Sequence, residues 1–433
     1  MTTAETELQG IARAYEQANA ANASDISQNL MAGFPASEAS RVTQVNWMFP
    51  PFNKWGFRNV ARLRPTIDVP SNTQPPSKMA ERPVGLEQLK FLSVCNQSIS
   101  VGQHLRASHT DGLIVLQGDD ICFEYYANGQ VSTDRHIMFS VTKSLIGFLA
   151  EELISEGVLN PQELTSAYLP ELANSAFADA SISQLLDMAV GVKFSEVYDD
   201  PMSESSQYGR ACGIYAPIEG AINHQSLYQF LPTLEKERLH GGFFHYVTAT
   251  TEVLAWVLER VSGESCATRL GRIWSALGCE RDGYFIADSW GRNVAGAGFN
   301  ATLRDMARFG RLIAYGGVHA DQRLISADTI QRIVKGADPQ LLGANPNFAK
   351  WTPGASYKSQ WYVFNDQAIM AGGVHGQYLF IHPQSRTVIV KQSSLPEAVT
   401  DLDQDSVRMM HAIIQHLSQS KNEPNTSLSV ACA

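Results

Sequence analysis

Two segments with strand chemistry stand far apart in this chain with helical patterns between them, and that order limits the folds open to it. Residues 113–116 and 121–126 are apolar, β-prone runs separated by Gln117-Gly118-Asp119-Asp120, and they read as a hairpin. Residues 377–382 and 387–392 flank Pro383-Gln384-Ser385-Arg386 and read as a second. A long amphipathic helix is expected from about Ser140, with Leu145, Ile146, Leu149, Leu153 and Ile154 on one face and Gly157 as its stop. Further helical patterns cover residues 182–188, 250–261, 303–315 and 407–417. An antiparallel sheet flanked by helices and built from both chain ends, with a mainly helical domain inserted, satisfies this order as an α+β (α/β sandwich) fold.

The expected division places residues 86–145 and 300–418 in the α/β domain, 146–299 in the insert and 419–433 in a tail. Residues 1–85 are polar and proline-punctuated, with little sustained periodicity. They carry Trp47, Phe49, Phe52, Trp55 and Phe57, too dense an aromatic cluster for a free tail, so an extended arm packed on the body is expected. Residues 198–240 are glycine-rich and polar and read as lid-like loops.

Composition narrows the function. With 433 residues, 44% of them hydrophobic and 18% charged, the chain has the make-up of an ordinary soluble globular protein. A net charge of −10 without basic runs argues against a nucleic-acid surface. The first twenty residues lack a secretory pattern, and no window is apolar enough for a membrane helix. Six scattered cysteines without a CxxC pair read as reduced thiols, and a cytoplasmic location is expected.

The chemistry concentrates at Phe139-Ser140-Val141-Thr142-Lys143-Ser144. Three residues apart on a helix, the Ser140 and Lys143 side chains share a face one turn apart. A serine hydroxyl needs a base against it, and a lysine serves when its pKa is lowered. The helix start adds free N–H groups for a developing oxyanion. SxxK alone is weak evidence, because Ser418 and Lys421 repeat it near the chain end. There is no GxSxG elbow and no HExxH motif, and Gly241-Gly242 breaks any helical pairing of His240 with His245. No metal or cofactor is called for.

Three ordered segments carry a resemblance: MFSVTKSLIG, then Phe244-His245-Tyr246-Val247-Thr248 with its following helix, then Gly373-Val374-His375-Gly376-Gln377. With WMFPPFNKWGF, DGLIVLQGDDICFEYY and VYDDPMSES, they resemble the serine β-lactamase and penicillin-binding-protein superfamily over residues 47–417. The similarity is greatest to the 6-aminohexanoate-dimer hydrolases and their carboxylesterase relatives. The resemblance implies Ser140 as acylated nucleophile, Lys143 as its base and Tyr246 as a phenol completing the proton relay. It implies that the Ser140 and Val374 N–H groups form an oxyanion hole, with Gly373 letting backbone approach substrate. Tyr198 aligns with a loop tyrosine that contacts the scissile nitrogen, or else packs under a lid. Trp361 and Tyr362 match a pocket wall or lie in the core, and His375 touches substrate or fills a polar niche.

Departures from the pattern point away from penicillins. Thr248 stands where the second motif usually has Asn, and Ala371 stands where the third begins with a cation. The position aligned with an acid that anchors a substrate ammonium is about Gly209. The expected activity is hydrolysis of a small-molecule amide or ester. An acyltransferase and a non-catalytic binding protein on the same scaffold remain alternatives, and a homodimer is left open.

Overall fold

The structure, a computed structural model, describes residues 3–20, 29–71, 75–195 and 200–420. Its centre is an eight-stranded sheet of β1 (Ala80–Glu81), β2 (Thr110–Gln117), β3 (Asp120–Tyr126), β4 (Ser356–Lys358), β5 (Trp361–Val363), β6 (Ile369–Gly373), β7 (Gln377–His382) and β8 (Thr387–Ser393). Spatial order is β4-β5-β6-β7-β8-β2-β3-β1. The two expected hairpins meet where β8 pairs with β2 antiparallel, Ile389 opposite Val115. The edge strand β1 runs parallel to β3, so the sheet is mixed rather than wholly antiparallel.

Both faces of the sheet are covered, and this is why β2 is apolar at successive positions instead of alternating. Side chains still point up and down in turn. Ile114 and Leu116 join one apolar cluster, with α3 (Val141–Ser155), α6 (Leu303–Ala314) and α7 (Ala327–Val334). Leu113 and Val115 join the other, with α1 (Thr3–Ala20), α2 (Val101–Ala107) and α8 (Leu402–Ser420). The remaining helices used below are α4 (Glu204–Ala211) and α5 (Thr248–Ser262).

Helix α3 runs through the middle of the molecule. Leu145, Ile146, Phe148 and Leu149 are fully buried, each worth roughly 1.5–3 kcal/mol of transfer free energy. Gly157, at φ 72°, takes the left-handed turn that ends the segment. In the segment read as an aromatic arm, Trp47, Trp55 and Phe57 are buried, while Phe49 is exposed.

Two parts of the fold depart from expectation. Residues 3–20 form α1, with Ile11 and Tyr15 buried one turn apart and the Tyr15 hydroxyl donating to Asp405 at 2.8 Å. Within the stretch expected to be mainly helical, Gly283–Ile286 is a strand, and Phe299–Ala301, at the end of that stretch, is another. With Thr66–Val69 and His136–Ile137 they form a second, four-stranded sheet. Among the described residues, no helix is long and apolar enough to cross a membrane, and Cys212, Cys266 and Cys279 are free thiols.

Candidate active site

The second sheet delivers Ser140. His136–Ile137 pairs with Phe299–Ala301, the Ile137 N–H donates to Phe57 O, and the Met138 N–H donates to Phe299 O, both at 2.8 Å. Phe139 then takes a left-handed φ of 42°, a strained value for a bulky residue, typically costing on the order of 1–3 kcal/mol. Its surroundings hold it there. The Phe139 ring packs edge-on against Phe57 at 5.0 Å and tilted against His375 at 5.4 Å, and Thr142 Oγ1 donates back to Phe139 O at 2.5 Å. The turn leaves Ser140 half-buried at the cap position of α3, where the first helical N–H groups bond back into the turn: Val141 to Met138 O at 3.1 Å, Thr142 to Phe139 O at 2.9 Å and Lys143 to Ser140 O at 3.0 Å.

Lys143 is 1% exposed. Its Nζ donates to Ser140 Oγ at 2.8 Å and to Gly296 O at 2.7 Å. The same Nζ lies 5.0 Å from the centroid of the Tyr246 ring. Tyr246 arrives from the loop before α5, which is anchored by the His245 N–H donating to Met188 O at 2.7 Å. Side chains from two distant parts of the chain, Ser140 and Lys143 on one and Tyr246 on the other, therefore meet at one helix start.

Strand β6 closes the other side. A Cβ on Gly373 would lie 2.6 Å from Met138 O and 3.0 Å from Ser140 N, so only glycine lets this strand come so near Ser140. Val374 follows at the end of the strand, half-buried.

The remaining expected site residues divide. Tyr198 lies outside the described residues. His375 is turned inward: its Nδ1 bonds Leu395 O at 2.8 Å, its ring packs on Phe57 and Phe139, and burial pushes its pKa down to about 4. It packs against Phe139 from inside the fold. Trp361 is fully buried in the cluster against α3, its Nε1 without a hydrogen-bond partner among the described residues, so it is a core side chain and not a pocket wall. Alternation on β5 sends Tyr362 to the opposite face.

The aromatic surface near the site comes from residues the sequence reading did not single out. Phe348 packs on Tyr246 at 5.3 Å and on Phe244 at 5.2 Å. Trp351 packs on Tyr362 at 5.0 Å, and its ring edge would lie 3.1 Å from a Cβ on Gly372. Both rings are half-buried and sit on a segment of one-turn helices, Pro339–Gly343 and Pro346–Ala349, too short to show periodicity. The position expected to lack an anchoring acid is filled by structure: a Cβ on Gly209 would meet the Tyr215 ring at 2.2 Å. Glu204, nearby, accepts the Ser195 N–H at 3.0 Å. Among the described residues, no three His, Cys, Asp or Glu side chains converge as a metal site would require.

A mixed sheet sandwiched by helices, with a serine–lysine pair at the start of the central helix and a tyrosine beside them, defines a class of protein. The chain belongs to the β-lactamase family, whose model matches residues 108–412. More particularly, it is similar to a 6-aminohexanoate-dimer hydrolase of Paenarthrobacter ureafaciens, 34% identical over 372 residues, which are 85% of this chain and 92% of that protein. Among solved structures it is similar to a Bacillus anthracis protein provisionally named a 6-aminohexanoate-dimer hydrolase, with TM-score 0.80 and 26% identity over 90% of this chain and 99% of that one. A β-lactamase-like protein of Bacteroides dorei shares the fold at TM-score 0.55 and 14% identity, over 74% of this chain and 97% of that one. The chain is thus a hydrolase-family member with a β-lactamase-like fold.

Proposed function

We propose that the protein cleaves an amide or ester bond through an acyl-enzyme on Ser140. The observation that carries this is the meeting of Ser140 Oγ, Lys143 Nζ and the Tyr246 ring beside Gly373. With Lys143 as the free amine, the Ser140 proton passes to Nζ while Oγ attacks the carbonyl carbon. The carbonyl electron pair moves onto oxygen, where the N–H groups of Ser140 and Val374 receive it. The carbon–nitrogen or carbon–oxygen bond to the leaving group then breaks, and the leaving atom takes a proton relayed from Lys143 through the Tyr246 phenol. Water attacks the ester so formed by the same relay, releasing the acid and restoring the Ser140 hydroxyl.

The Phe348 ring on Tyr246, with the Trp351 ring packed on Phe348 and Tyr362, supports uncharged, apolar groups on the substrate. A substrate ammonium has no acid at position 209 to pair with, so linear 6-aminohexanoate oligomers are expected to be poorer substrates than neutral esters. Tyr198 is kept as a proposed contact to the leaving group. A panel of p-nitrophenyl esters, linear amides and nitrocefin, run on wild type and Ser140→Ala, tests the proposal. Short-chain ester turnover lost in Ser140→Ala supports it, whereas turnover retained in that variant removes it. Product analysis with added alcohols separates hydrolysis from acyl transfer.

A further inference from the structure

Behind Lys143 lies a carboxylate that the reaction scheme does not use. Glu252, on the second turn of α5, is fully buried. Its Oε1 accepts the Gly296 N–H at 2.7 Å and the Tyr208 hydroxyl at 2.7 Å, and its Oε2 accepts the Ala295 N–H at 3.0 Å. The carbonyl of that same Gly296 accepts Lys143 Nζ at 2.7 Å. An unbroken path of hydrogen bonds thus runs from Glu252 through one residue of backbone to the lysine ammonium and on to Ser140.

Packing around this path is tight. A Cβ on Gly296 would lie 2.6 Å from Thr248 Cγ2, 2.9 Å from the Tyr208 hydroxyl and 3.1 Å from Glu252 Oε1. The 295–296 turn is therefore seated directly on the carboxylate. Three donors aim at Glu252, which matches the lone pairs of the ionised form. A carboxylate so buried is strongly destabilising unless its bonds do specific work.

We infer that Glu252 is a positioning residue: it clamps the Ala295–Gly296 backbone so that the Gly296 carbonyl holds Lys143 Nζ on Ser140, and its charge raises the proton affinity of that amine. Two consequences follow. Loss of the clamp loosens the lysine, and loss of the negative charge lets Lys143 shed its proton at lower pH. Burial raises the Glu252 pKa against the lowering effect of its hydrogen bonds from Tyr208, Gly296 and Ala295. The other titratable groups facing it are Arg292, whose charge favours the carboxylate, and the buried thiols Cys212 and Cys266.

The inference rests on Ser140 being the nucleophile, so the test uses a probe that reads this first. A fluorophosphonate is reacted with the full chain over a range of pH, and the rate of Ser140 labelling is followed by mass spectrometry. Absence of labelling in wild type would remove the proposed function itself. Given labelling, Glu252→Gln places an amide N–H₂ against a backbone N–H and removes the charge. It is expected to slow labelling at least tenfold and to move the acid limb of the rate profile down by about half a pH unit or more. Tyr208→Phe keeps the carboxylate and both backbone bonds, and is expected to slow labelling only a few-fold with the fold intact; it serves if Glu252→Gln does not fold. Glu151→Gln, which disturbs a buried carboxylate of α3 bonded to Ser359, is the structural control and leaves the limb in place. An unshifted limb in Glu252→Gln, whether labelling is slowed or not, would overturn the inference.

Discussion

Gly373 and Ser140 approach each other so closely that a Cβ at position 373 would stand 3.0 Å from the Ser140 amide nitrogen. The same Cβ would meet Met138 O at 2.6 Å, and both neighbours are backbone, which cannot swing aside. Gly373→Ala is therefore expected to push β6 away from Ser140 and misplace the Val374 N–H. Catalytic efficiency toward p-nitrophenyl acetate should fall at least tenfold while the circular dichroism spectrum is unchanged. Unaltered turnover would mean that this contact does not shape the site.

Tyr246 offers a cleaner separation of chemistry from packing. Its ring touches Phe348 and Phe244 and lies 5.0 Å from Lys143 Nζ. Tyr246→Phe keeps those contacts and removes only the hydroxyl. A loss of about 10²–10⁴-fold in kcat, with Tm nearly unchanged, is expected for a proton-relay phenol. Steady-state kinetics with thermal melts checks this.

Phe348 and Trp351 should act on selectivity. Truncating either to Ala is expected to raise KM for p-nitrophenyl esters with bulky acyl groups several-fold, with little change for acetate, because a lost ring contact is worth about 0.5–1.5 kcal/mol. Nitrocefin turnover should be poor in wild type, since Ala371 at the start of the third motif is buried and uncharged. Equal KM changes across the ester series would show that the rings only pack.

His375 makes acid stability a further readout. Its pKa falls from 6.5 to about 4 on folding, because burial disfavours the charged ring. The unfolded chain therefore takes up a proton between these values while the folded one does not. Stability from this residue is complete above pH 6.5 and is lost progressively as pH falls to about 4, on the order of 3 kcal/mol in all. Urea unfolding of wild type and His375→Gln at pH 7 and pH 4 measures it: the wild-type advantage should shrink by that order.

Much of this architecture was legible in the chain. The turns at Gly118-Asp119 and Pro383–Arg386, and the apolar runs beside them, mark β2, β3, β7 and β8. Ser140, Lys143 and Tyr246 were named from spacing and resemblance, and the structure brings them together. Other parts carry no such signature. Strands Gly283–Ile286 and Phe299–Ala301 are buried on both faces and too short to alternate. Among the described side chains of helix α1, Ile11 and Tyr15 are the buried pair, and its polar sequence hides it. Trp361 and Trp351 are ten residues apart, and which one is left half-buried depends on the strand parity of β5 and on loop geometry. Glu252 could have been noticed as an acid on the apolar face of α5, six residues after Tyr246. Its partner Gly296 is joined to it only by the fold.

The central claim is a covalent bond at one hydroxyl. Wild-type protein mixed with p-nitrophenyl acetate, quenched in acid during turnover and digested with trypsin, yields a peptide of residues 136–143 for mass spectrometry. The account predicts one acetyl group on Ser140, absent from Ser140→Ala, which also loses turnover. An acetyl group on a different residue, or ester hydrolysis undiminished in Ser140→Ala, would contradict it.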